Sequence, residues 1–217
     1  MTFADRADAG RHLAAALEYL RAERPVVLGL PRGGVAVGYE VARALGAPLD
    51  VLVARKLGAP GHEELALGAI ARGAVYVDWL IVRQLGVPDD YLDQVTAVER
   101  RELERREQAY RQGRPPLDVT GRTAILVDDG LATGATARVA VAALRRQDPA
   151  RLVVAVPVGA PESVARLRAD ADDVICLEMP ADFRAVSLAY DNFTPTTDAE
   201  VVRYLESALS PTLGPAQ

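Results

Sequence analysis

Five short runs of this chain are apolar through nearly their whole length: VVLGL at 26–30, LDVLVA at 49–54, TAILV at 123–127, RLVVAVPV at 151–158 and DDVICLEM at 172–179. A strand with one face in water alternates apolar and polar residues. A strand that is apolar at consecutive positions has to be covered on both faces. Between these runs lie segments with helical spacing. Leu13, Leu17 and Leu20 fall on one side of 9–23, with Asp8 placed to cap that helix. Val35, Val41 and Leu45 do the same before Gly46, and Ala137, Val141 and Leu144 within 136–146. Strands that alternate with helices and are buried on both faces predict an α/β protein, a mostly parallel sheet with helices on both faces. Half the residues are hydrophobic but only 5% are aromatic, so the core must be aliphatic.

Other segments depart from this alternation. Lys56 to Glu64 is polar and rich in Gly and Pro, and reads as a loop. LALGAIA and AVYVD, on either side of Gly73, read as a hairpin. Residues 89–112 form one long helix with Leu92, Val95, Leu103 and Tyr110 on its inner side. Its charge run 99–107 holds four acids and four bases, a solvated face with Glu102 and Arg106 paired. Residues 162–168 make a short helix and 180–196 are irregular. Thr197 and Glu200 make a capping box for a last helix through Leu209, and the tail after it frays. No repeat and no clean linker divides the chain, so 1–217 reads as a single domain.

The segment richest in chemistry is AILVDDGLATGAT at 124–136. A buried strand ends in Asp128 and Asp129. A turn of small residues follows, Ala132-Thr133-Gly134-Ala135-Thr136, and opens a helix. Ligands of open α/β sheets sit beyond the carboxyl ends of strands. A helix N-terminus offers free amides and a positive dipole end to an anion, and small residues let a phosphate come close. Carboxylates repel phosphate but accept hydrogen bonds from a sugar diol. One turn therefore suits a phosphorylated ribose. A P-loop is excluded because GK[ST] is missing, and no G-x-G-x-x-G follows the first strand.

VDDGLATGAT resembles the phosphoribosyl diphosphate (PRPP) signature of the type I phosphoribosyltransferases. LPRGGVAVGYEVARALGAPLDVLVARKLGAPGHEELALGAIA and YDNFTPTTDAEV resemble a bacterial subgroup described only as predicted phosphoribosyltransferases. The resemblance implies the type I phosphoribosyltransferase fold with a small hood and a helical insertion. It implies that Asp128 and Asp129 bind the ribose and that Ala132, Thr133, Gly134, Ala135 and Thr136 bind the 5′-phosphate. Arg32, Gly33, Gly34 and Lys56 would bind pyrophosphate, with Asp128, Asp129, Arg32 and Lys56 as the catalytic set. A strained or cis peptide is common in such a diphosphate loop, and Gly33-Gly34 would tolerate one. Residues 57–66 would be a mobile loop, within a loop-and-hairpin region 57–78. Residues 89–112 would be the insertion and 180–217 the hood, with Met179 and Phe183 at the acceptor. Mg²⁺ would be held mainly by substrate, with Asp128 and Asp129 as further ligands.

The implied activity moves the phosphoribosyl group of PRPP to a nitrogenous acceptor, a nucleobase or similar amine, in nucleotide metabolism. The alternatives are a non-catalytic PRPP-sensing regulator and a PRPP hydrolase. Each site residue also has a plainer reading: a bare turn for Pro31–Gly34, surface charge for Arg55 and Lys56, and packing for Tyr190 and Phe193. Phe183 stands between packing and stacking, and Glu64 between ligand contact and capping. Cys176 reads as a small core residue, His62 as solvated, and Trp79 as core or interface. The net charge of −5 and the balanced charge runs argue against nucleic acid. A single cysteine and two histidines argue against a thiol or histidine metal centre. The polar N-terminus, with no apolar span, leads to a cytoplasmic protein away from membranes. The long helix offers a homodimer surface.

Overall fold

The computed structural model describes residues 2–209, without the side chains of Glu63 and Glu64. The expectations for Glu64 and for the last residues of the tail lie outside what is described.

Helix α1 (Arg6–Ala16) runs into a 3-10 turn (Glu18–Glu23) and strand β1 (Val26–Gly29). Asp5, not Asp8, caps α1: its carboxylate accepts from the Asp8 amide at 2.8 Å. The helix starts three residues earlier than its apolar spacing suggests, because Arg6 and Asp8 are polar and Ala7 alone sets no period. Helix α2 (Gly33–Leu45) leads to β2 (Leu49–Val51). Then β3 (Ala54–Ala59), β4 (His62–Ala71) and β5 (Ala74–Val77) form an antiparallel meander. Short α3 (Trp79–Leu85) and long α4 (Asp89–Arg111) follow. The chain closes with β6 (Thr123–Val127), α5 (Ala135–Arg145), β7 (Arg151–Val158), α6 (Pro161–Leu167), β8 (Asp173–Glu178), a 3-10 turn (Val186–Ala189) and α7 (Asp198–Ser207). The capping box of Thr197 and Glu200 is formed.

The main sheet is parallel throughout, in the order β2-β1-β6-β7-β8. Its continuous apolar runs divide by parity. Val27, Ile125, Val127, Val153 and Ala155 face a core shared with α1, α2 and α7. Val26, Leu28, Leu126, Val154 and Val156 face one shared with α5 and α6. Two-sided burial is therefore why these strands carry no polar alternation.

Residues 49–54 are not one strand. Pairing with β1 ends at Val51, and Leu52 and Val53 drop into opposite cores. The chain then leaves as β3. The expected loop from Lys56 to Glu64 is instead a hairpin, closed by a turn at Pro60-Gly61, where Gly61 takes φ +70°. The small sheet buries Ala59 and Leu67 against α3 and α4, and Ala69, Ala71 and Ala74 against α5. Trp79 starts α3 and is more than half exposed, so the core reading of it fails. Leu92, Leu103 and Tyr110 of α4 are buried, and Glu102 pairs with Arg106 at 2.8 Å. Buried Arg111 of α4 donates to Asp50 of β2 at 3.0 Å and pairs with buried Glu107 at 3.2 Å, which fastens α4 to the core. The expected insertion thus holds a fixed place against β2, β3, β4 and α7.

Candidate functional site

Strand order reverses between β1 and β6. β1 leads outward to β2 on one side, and β6 leads to β7 on the other. The turns that follow two such strands part and leave a crevice, the usual ligand position in open α/β sheets. Here those turns are Leu30–Arg32 and Asp128–Gly134, and the Leu30 amide donating to the Val127 carbonyl at 2.8 Å holds them side by side.

The turn after β1 is tighter than expected. Helix α2 already begins at Gly33, so the amides of Gly33 and Gly34 belong to its first turn and have no partner within the helix. The cis peptide bond is Pro31–Arg32, not Gly33–Gly34. The glycines serve closeness. A Cβ on Gly33 would overlap Asp129 Oδ2, and one on Gly34 would lie 2.8 Å from Asp128 Cα. The two candidate loops touch at the acids.

Asp128 and Asp129 are half-buried. The Asp129 amide donates to Asp128 Oδ1 at 2.9 Å. Arg6 Nε donates to Asp129 Oδ2 at 2.8 Å, and the Tyr190 hydroxyl donates to the Asp129 carbonyl at 2.5 Å. Burial pushes Asp128 well above the usual carboxylate range. The charge of Asp129 adds to this, and Arg6 opposes it. Burial also raises Asp129, less so because the Arg6 hydrogen bond and charge pull it back. Tyr190 is raised by burial and remains a donor.

The turn Ala132–Thr136 has a different character. Gly134 takes φ +76° and starts α5 without a side-chain cap. Ala132 and Thr133 are exposed, and Ala135 and Thr136 half-exposed. Its carbonyls are drawn to one side. Ser163 Oγ of α6 donates to the Ala132 carbonyl at 2.6 Å, and Arg166 donates to Ser163 at 2.9 Å. Leu131 is clamped to the end of β7 through Val158 and Ala160. The turn is therefore shaped from behind, and the first-turn amides of α5 have no partner within the helix.

A cleft of about 690 Å³ opens beside these turns, lined by Pro31, Lys56, Thr136 and, from α4, Tyr91, Gln94 and Glu99. Lys56 of β3 is thereby brought to the site on a strand rather than a loop. Its neighbour Arg55 is tied to Glu99 at 2.5 Å. Arg32 is exposed, with Nη1 3.9 Å from Asp198 at the start of α7, and is not part of the cleft wall. On the other side of Gly130, Val186 packs against the turn, and a second cavity of about 440 Å³ is lined by Phe183, Asp182, Glu178 and Leu188. Met179 is exposed and outside that lining. Tyr190 is buried and its ring stacks at 4.9 Å on Phe193, so both aromatics pin the C-terminal segment. Among the described residues no three acids, histidines or cysteines gather as a metal site. No helix among them is long and apolar enough to cross a membrane. Sequence reasoning missed Arg6, Ser163, Arg166 and the bond of Tyr190, all of which reach the turn from distant segments.

Known proteins match this chain over most of its length. The family model "Phosphoribosyl transferase domain" matches residues 4–192. Two Mycobacterium tuberculosis proteins, from strains CDC 1551 and H37Rv, carry the name phosphoribosyl transferase with no acceptor specified. Each is 49% identical over 207 residues, 95% of this chain and 47% of its own length. The chain thus spans about half the length of these relatives. The crystal structure of TT1426 from Thermus thermophilus superposes with a TM-score of 0.83 at 46% identity, covering 97% of this chain and all of that one. The chain belongs to the phosphoribosyl transferase domain family.

Proposed function

We propose that the protein transfers the phosphoribosyl group of PRPP to a nitrogenous acceptor of the nucleobase kind, with release of pyrophosphate. The observation that carries this reading is the contact of two loops at the switch point: the acids Asp128 and Asp129 abut Gly33 and Gly34, with an open small-residue helix start next to them. One such crevice can hold sugar, phosphate and diphosphate together.

In this reading the first-turn amides of α5 and the hydroxyls of Thr133 and Thr136 take the 5′-phosphate. Asp128 and Asp129 accept the ribose hydroxyls. The amides of Gly33 and Gly34 and the ammonium of Lys56 receive the diphosphate. Arg32 joins them by leaving Asp198. As the bond from C1 to the diphosphate oxygen breaks, positive charge grows on the ribose, and the nearby carboxylates favour it. The acceptor nitrogen then bonds to C1 from the opposite face and gives up its proton to the departing diphosphate or to water, and positioning supplies much of the rate. The cavity beside Phe183 is the space for that acceptor. The hairpin and α4 wall the diphosphate side and limit access of water. Magnesium fits as an ion brought by its substrate. The site has two adjacent carboxylates, one already paired with Arg6, so Asp128 and Asp129 would add to the oxygens of the diphosphate. When bound, the ion neutralises charge on the leaving group.

Calorimetry of PRPP with Mg²⁺ tests the reading, comparing wild type with the double variant Asp128→Asn/Asp129→Asn. Binding that the variant loses is expected. Pyrophosphate release only in the presence of an acceptor then separates transfer from hydrolysis. A folded wild type that does not bind PRPP overturns the proposal.

A further inference from the structure

Arg6 is the least exposed cation at the site, with its side chain 11% accessible and that of its partner Asp129 17%. Three contacts from two segments hold its guanidinium. Nε donates to Asp129 Oδ2 at 2.8 Å, Nη1 donates to the Thr194 carbonyl at 2.8 Å, and the guanidinium carbon lies 3.9 Å over the Phe193 ring. The residue itself is anchored as the first of α1. Asp5 caps that helix, and buried Phe3 is bonded on both sides to the C-terminal segment, donating to Ala189 and accepting from Asp191.

Docking of the two terminal segments does not require this arginine. Backbone bonds from Phe3 and Ala4 to 189–192 and the ring contact between Phe3 and Tyr190 already join them. A cation taken out of water to join two tied segments costs desolvation without need. Its cost is explained by what it touches. Nε is 2.8 Å from the carboxylate read as a ribose ligand, and 2.7 Å from where a Cβ on Gly33 would sit in the diphosphate turn. Arg6 thus meets the ribose acid and the diphosphate turn at one point. It engages one oxygen, Oδ2, and so fixes the carboxylate's rotation. A bidentate grip would engage both oxygens and leave fewer lone pairs for a ligand.

We propose that Arg6 is a positioning residue for the sugar. It orients the Asp129 carboxylate toward the ribose hydroxyls and ties that orientation to the closed N- and C-terminal segments. This inference rests on the proposed function.

The test uses two probes on the full chain, ribose 5-phosphate and Mg²⁺-pyrophosphate, with wild type, Arg6→Gln, Arg6→Lys, Asp129→Asn and the double variant Arg6→Gln/Asp129→Asn. Circular dichroism and thermal melting confirm that each is folded. Arg6→Gln is expected to weaken ribose 5-phosphate roughly tenfold, the worth of a charged hydrogen bond lost from a site. Pyrophosphate binding should remain within about twofold, less than 0.5 kcal/mol. Arg6→Lys keeps one charged donor and recovers part of the loss, and Arg6→Gln adds nothing once Asp129 is Asn. Equal loss of both probes would mean a structural role only and overturn the inference. Unchanged or tighter sugar binding in Arg6→Gln would also overturn it, the latter by showing that Arg6 competes with ribose. If wild type binds neither ribose 5-phosphate nor PRPP, the proposed function itself falls, and this inference with it.

Discussion

Two halves of one turn after β6 are built in opposite ways. The acid half, Asp128–Gly130, is held by residues from far along the chain: Arg6 and Tyr190 on the Asp129 carboxylate and carbonyl, Gly33 and Gly34 against the carboxyls, and Val186 over Gly130. The half proposed to take the phosphate, Ala132–Thr136, has its carbonyls held by Ser163, Arg166 and the Arg138 amide, and leaves Ala132 and Thr133 exposed. Recognition of a sugar diol needs carboxylates fixed in direction, and such fixing takes neighbours. Recognition of a phosphate needs backbone amides, which the helix start already directs, and neighbours would only block them. One half is specified by tertiary contacts and the other by local conformation.

The strongest way to break this contrast is Gly33→Ala. The new methyl would overlap Asp129 Oδ2 and crowd Arg6 Nε, so this hydrogen-bonded pair would have to shift as a unit. We expect a loss of about 3 kcal/mol in urea unfolding, the upper range for single substitutions, together with loss of PRPP binding. A stability within about 0.5 kcal/mol of wild type would show that the acid half is loosely held. The phosphate half should behave in reverse. Thr133→Val/Thr136→Val removes two hydroxyls from an exposed turn. Unfolding should shift by less than about 0.5 kcal/mol, while PRPP affinity falls roughly tenfold.

The same contrast governs what could be read from sequence. The main sheet is legible because two-sided burial leaves its mark on consecutive residues, as in TAILV and RLVVAVPV. The small-residue turn is legible because an open helix start is set by local residue types. The small sheet is not. Gly58, Pro60 and Gly61 signal a loop, and only pairing with β4 and burial of Leu57 and Ala59 make 54–59 a strand. Helix α3 spans just seven residues between its Asp78 cap and Gly86, too few for a period to show. Arg6 has no local signal, since its partner Asp129 is 123 positions away. The apolar run at 49–54 hides a break, because Leu52 and Val53 are as hydrophobic as the strand before them.

Tyr190→Phe sharpens the comparison by removing one tie of the acid half while keeping its packing. The ring remains against Phe3 and Phe193, and only the donor to the Asp129 carbonyl is lost. A half-buried carbonyl without its donor costs about 1 kcal/mol. Denaturant midpoints at unchanged slope measure it, and no change would mean that water replaces the hydroxyl there.

The effect expected at Asp128 has the opposite sign. Its folded pKa lies well above the ordinary carboxylate value because burial and the charge of Asp129 disfavour ionisation. A group raised in this way contributes its full stability below the unfolded pKa, about 3.9 for Asp. It loses that contribution as pH rises through the folded value. At neutral pH the wild type therefore carries a penalty that Asp128→Asn, with nothing to titrate, does not. The variant should melt higher at pH 7, and its advantage should shrink as pH falls toward the ordinary carboxylate range. A variant that melts lower than wild type at pH 7 would mean that Asp128 is held by contacts which favour its charge. The predicted gain follows from the same crowding that fixes Asp129. A second acid set beside a held one is a burden on the folded chain unless a ligand uses it, and the melting curve with and without PRPP can tell these two states apart.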